Sequence, residues 1–124
     1  MNLYTRTDQN PDIEVVTREF IYRGIKVPVG FAFDGASAPR FFWGIIPPFK
    51  RTKKAACIHD WNCRNAESSA DRKAADLMFY RMLREVKVID KKTGREKHGI
   101  NRARCIIGYL GVRIGSYLGI GVHY

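Results

Sequence analysis

Three carboxylates, one imidazole and one hydroxyl are spaced along this chain so that they could do chemistry together. His59 and Asp60 stand side by side in Ala55-Ala56-Cys57-Ile58-His59-Asp60-Trp61, an otherwise apolar stretch. An imidazole exchanges a proton near neutral pH, and beside a carboxylate it is a candidate general base. Asp76 lies on a second apolar-striped run, while Asp34 and Ser37 share the loop Phe33-Asp34-Gly35-Ala36-Ser37-Ala38-Pro39-Arg40. Adjacent residues on a helix diverge by about 100°, so His59 and Asp60 do not face each other as a dyad. The carboxylate that orients His59 must come from elsewhere, and Asp76 is the candidate. A plainer partner for Asp76 is Arg72, one helical turn earlier.

Several chemistries fit this set. Ser37 as nucleophile, His59 as base and an aspartate behind it would make a Ser-His-Asp arrangement, although no Gly-x-Ser-x-Gly elbow is present. Asp34, Asp60 or Asp76 could instead surround a divalent cation such as calcium, which takes carboxylate and carbonyl oxygens. His59 and Cys63, at i and i+4, point toward zinc, but the sequence names no further ligands. The structural alternatives are a buried, hydrogen-bonded histidine and a loop braced by Asp34 and Ser37.

The elements that must position these residues read as α+β. In residues 1–50, Ile13-Glu14-Val15 alternates, and two β-favouring runs, Glu19–Tyr22 and Ile25–Val29, flank Arg23-Gly24 as in a hairpin. Pro28 cannot donate to a ladder and ends the second strand or keeps it at an edge. Gly30 to Phe49 mixes glycine and proline with six large aromatic residues, which suits a loop packed on the core or walling a pocket. Residues 52–88 read as an antiparallel helical pair. Thr52 caps the first helix, which ends near Asn65, and Ser68 with Asp71 caps the second, predicted to run from Asp71 to Val88 with Ala75, Met78, Phe79, Met82, Leu83 and Val86 inward. Asp90 to Lys97 reads as an exposed charged turn. Residues 98–122 carry a third helix opened by Asn101, with Ala103, Ile106, Ile107, Leu110, Ile114 and Tyr117 as its expected apolar side. Gly108, Gly111, Gly115 and Gly119 make a second stripe along which another backbone could approach closely.

Length and composition bound the rest. A chain of 124 residues, 45% hydrophobic and 12% aromatic, is expected to be one globular domain, 1–124. Three cysteines without framework spacing suit a reducing compartment, and Met1 to Asn10 lacks the apolar core of a secretory signal. Residues 51–124 hold sixteen basic and seven acidic side chains, so this half carries +9 of the net +10. That asymmetry suits an anionic partner, whether lipid, nucleic acid or an acidic subunit. Aromatics do not interleave with the basic residues as in nucleic-acid motifs. Cys105 to Val122 has the length of a membrane span, but Arg113 at its centre argues against one.

The set Gly30-Phe31-x-x-Asp34-Gly35-Ala36-Ser37-x-Pro39-Arg40-x-x-Trp43, Ala55-Ala56-x-x-His59-Asp60 and Arg72-x-x-x-Asp76 resembles an uncharacterised phage and prophage family of unknown function, over residues 15–85. The resemblance implies viral or prophage origin and a location in the virion or the host cytoplasm. It brings no activity. A weaker likeness is to the helix pair of secreted calcium-dependent phospholipases. It implies His59 activating water, Asp76 holding the imidazole and Asp60 on calcium, but the cysteine spacing and calcium loop of that family are missing. The expectation is therefore a phage structural or accessory protein, a tail or baseplate component contacting other phage proteins or itself through the third helix. The alternatives are an envelope-directed hydrolase of lipid ester or peptidoglycan using His59, and a basic nucleic-acid-binding or anti-defence accessory protein.

Overall fold

The computed structural model describes residues 2–11, 13–34 and 51–120. In chain order these contain β1 (Thr5–Thr7), β2 (Glu14–Val16), β3 (Phe20–Tyr22), β4 (Ile25–Val27), β5 (Ala32–Phe33), α1 (Lys53–Asn65), α2 (Ser69–Glu85), β6 (Lys87–Ile89), β7 (Glu96–His98) and α3 (Arg102–Tyr117). The class is α+β, as expected. Ser37 and most of the aromatic loop lie outside the described residues.

The strands form three antiparallel groups: a sheet ordered β1-β2-β5 and the hairpins β3-β4 and β6-β7. In the β3-β4 hairpin Phe20 faces Val27 and Tyr22 faces Ile25. Its two turn residues both have positive φ, 48° at Arg23 and 83° at Gly24, the turn whose twist matches that of paired strands. β4 stops at Val27, immediately before Pro28. Val16, Phe20, Val27 and Phe33 join Ile58, Phe79 and Leu83 in one buried core. The strands thus close the side of the helical layer that carries Ile58.

α1 and α2 pack against each other, as the short connection between them requires. Ser68 caps α2 by accepting a hydrogen bond from the Asp71 amide, and Asp71 accepts one from the Glu67 amide. Thr52 occupies the N-cap position of α1 without a side-chain cap bond. The expected reach of α2 to Val88 is corrected. The helix ends at Glu85, Val86 turns extended, and Lys87, Val88 and Ile89 pair with His98, Lys97 and Glu96. The β-branched cluster Val86, Val88 and Ile89 favours a strand over continued helix, and the charged turn joins two strands that were not anticipated.

Of the two stripes expected on α3, the glycine one is the buried one. The buried residues of the helix are Cys105, Gly108, Gly111, Val112 and Gly115, so the glycine stripe faces inward and lets α3 lie close on α2. The larger apolar side chains Ile106, Leu110, Ile114, Tyr117 and Leu118 point outward. The reason is that Asp76, Arg113 and Ser116 must meet between α2 and α3, as described below. No described helix is long and apolar enough to cross a membrane.

The end of α3 is closed by paired bonds from the Gly119 amide to the Ser116 carbonyl and from the Ile120 amide to the Gly115 carbonyl. This reversal needs the left-handed φ of 77° at Gly119. Gly119→Ala is expected to cost about 1 kcal/mol, read by chemical denaturation; an unchanged midpoint would mean the cap does not constrain the helix end.

Candidate functional site

His59 and Cys63 lie one turn apart on α1 and both are buried on the side facing α2. Across from them, Asp76 occupies the inward face of α2 with Ala75 and Phe79. The His59 Nε2 and Asp76 Oδ1 atoms are 2.7 Å apart, so the expected pairing across the helices is present. His59 is 2% exposed and Asp76 0%. The imidazole also lies 5.0 Å, centroid to centroid, from the Phe79 ring, and the Cys63 sulfur is 3.5 Å from Nε2.

The second oxygen of Asp76 is held from the third helix. Arg113 Nη1 donates to Oδ2 at 2.8 Å and Ser116 Oγ donates at 2.7 Å. A carboxylate with no exposure therefore has donors from two neighbouring helices, which is what its burial demands. Sequence reasoning missed both α3 residues. One signal was available: Arg113 interrupts an apolar run, and a charge there must find a partner. Sequence proximity suggested Arg72 as the local partner, and that is corrected. Arg72 sends Nη2 2.6 Å to the Ile120 carbonyl just beyond α3, and the guanidinium on Asp76 is that of Arg113.

Asp60 points away from the His59–Asp76 bond. Its Oδ1 stands 3.9 Å from the other ring nitrogen of His59, and its Oδ2 accepts the Asp34 amide at 3.2 Å. Phe31 packs edge-on against Trp61, with centroids 5.1 Å apart, and Phe33 is buried. β5 and the start of the following loop are thereby fixed on α1. Of the expected catalytic residues, His59 and Asp76 are in contact, Asp34 reaches the group through its backbone and Asp60, and Ser37 lies outside the described residues. Of the expected calcium ligands, Asp34 and Asp60 are joined by an amide-to-carboxylate bond. Among the described residues, the metal-capable side chains that converge are instead His59, Cys63 and Asp76.

The electrostatics favour an imidazolium. Burial pulls the His59 pKa down, but the Asp60 carboxylate, the Asp76 hydrogen bond and the Cys63 sulfur outweigh it and hold the group well above its ordinary 6.5. A charged ring between two carboxylates is an electrostatic tie between α1 and α2 and a poor proton acceptor. A cleft of about 510 Å³ beside Tyr22, Lys53, Lys54, Met82 and Glu85 is lined by none of these three residues.

Two outcomes are expected. Asp76→Ala leaves His59 and Arg113 without their shared anion and should cost about 3–5 kcal/mol, measured by urea denaturation; a loss below 1 kcal/mol would deny Asp76 this role. A His59 pKa raised by folding contributes stability below pH 6.5 that is lost as pH rises through the folded value. In chelator-containing buffer the unfolding free energy should therefore fall as pH rises above 6.5, and His59→Gln should flatten that slope. A slope unchanged in the variant would assign it elsewhere.

A family model described as "Protein of unknown function (DUF1353)" matches residues 12–95, more than half of the chain and all of α1 and α2. No curated protein and no solved structure matches it. With His59, Asp60 and Asp76 all inside the matched segment, the chain belongs to the DUF1353 family of proteins of unknown function.

Proposed function

We propose that this chain is a non-enzymatic structural or accessory protein of a phage particle, of the tail or baseplate kind, docking through the outward face of α3. The observation that carries this reading is the row Ile106, Leu110, Ile114 and Leu118, four residues apart on one helix face with Tyr117 beside it. All five are exposed, Leu118 by 62% and Tyr117 by 89%. A continuous apolar row on a surface otherwise rich in charge is an interaction site more often than an accident. Arg102 heads the same row one turn earlier, and residues 51–124 carry a net +9. An acidic neighbouring protein matches that charge, whereas a second copy would set like charges together. The motif resemblance of residues 15–85 supports the phage or prophage setting.

The hydrolase reading has less support. A general base needs a ring nitrogen open to substrate or water, and both His59 nitrogens face carboxylates, at 2.7 and 3.9 Å.

Leu110→Glu and Ile114→Glu test the docking face. Both positions are exposed, so folding stability should change by no more than about 0.5 kcal/mol. In purified particles, quantified by mass spectrometry, the variants should be depleted at least tenfold relative to the wild-type chain. Wild-type chain missing from particles, or variants present at full level, would end this proposal.

A further inference from the structure

The geometry of the buried cluster points to a metal site: we infer that His59, Cys63 and Asp76 bind one zinc-class divalent ion. The inference goes beyond the docking role and does not depend on it. Nε2 of His59, Sγ of Cys63 and a carboxylate oxygen of Asp76 all lie within 4.8 Å of one another, and all three residues are buried. Nitrogen, sulfur and oxygen donors converging from two packed helices select zinc over calcium, which takes six to eight oxygens. The Nε2–Sγ separation of 3.5 Å suits two ligands on neighbouring corners of a small tetrahedral ion. The Nε2–Oδ1 separation of 2.7 Å is a hydrogen bond, which opens slightly when an ion replaces the shared proton.

The surroundings are what make this more than three adjacent ligands. Metal-bound histidine is usually oriented by a carboxylate behind its other nitrogen, and metal-bound carboxylates are themselves hydrogen-bonded. The second support is present, and on the Nδ1 side Asp60 Oδ1 stands at 3.9 Å, an ion-pair distance. Arg113 and Ser116 hold Oδ2 of Asp76, leaving Oδ1 aimed into the cluster. Binding releases ligand protons to solvent, since zinc takes the thiolate and the neutral imidazole. The fourth corner of a tetrahedral ion is left to a water. Cys57 and Cys105 are buried as well but stand outside the converging group, so the site predicts which of the three thiols carries the ion.

Cobalt(II) is the probe, titrated into the full-length chain after chelator treatment. The expected result is a thiolate-to-cobalt charge-transfer band saturating at one ion per chain and bleached by added zinc. Cys63→Ala should abolish the band, Cys57→Ala and Cys105→Ala should keep it, and Ser116→Ala should weaken binding about 10–100-fold. X-ray absorption at the zinc edge of the wild-type protein gives an answer that no variant's folding can spoil, with one sulfur neighbour expected. The absence of any band, a band surviving Cys63→Ala, or a sulfur count other than one would overturn the assignment.

Discussion

The architecture depends on one buried carboxylate. Asp76 has no exposure, and an unpaired charge there would be costlier than any single apolar contact nearby. It is made tolerable by an imidazole from α1 and by a guanidinium and a hydroxyl from α3. Those bonds fix more than Asp76 itself. They set the register of α1 against α2 through His59, and the rotation of α3 about its own axis through Arg113 and Ser116. The glycines follow from this. Bringing Arg113 within 2.8 Å of Asp76 needs α3 close to α2, and Gly108, Gly111 and Gly115 are what lies in the contact.

The same constraint explains why α3 shows its bulkier side chains to solvent. Hydrophobic periodicity alone puts Ile106, Leu110 and Ile114 inward, because area removed from water stabilises by roughly 25 cal/mol per Å². Satisfying a buried charge outweighs that preference here. The exposed row is therefore a consequence of polar pairing within the fold, and a partner that covers it would recover apolar burial that the monomer forgoes.

Much of this arrangement was legible in the sequence. The β3-β4 hairpin followed from Arg23-Gly24 between β-favouring runs, the α2 cap from Ser68 and Asp71, and the His59–Asp76 pairing from two apolar helical runs joined by a short connection. Each signal is local or spans a single turn of chain. What escaped was non-local. Nothing within a few residues of Asp76 announces a donor 37 positions later, and Arg72 was the nearer choice by chain although not by space. The β6-β7 hairpin escaped for a different reason: its second strand, Glu96 to His98, is polar and exposed throughout, so it has no alternating apolar face to betray it.

The bond from Arg72 to the carbonyl of Ile120 has a bearing on where the folding unit ends. The segment that matches the family stops at residue 95, before α3 begins at Arg102. A chain cut there would leave Asp76 facing the imidazole alone, Arg72 without its carbonyl, and the buried core without Cys105 and Val112. The stretch recognised by its motifs and the stretch able to stand as an autonomous unit are thus different lengths, and the helix beyond the recognisable portion neutralises the charge inside it.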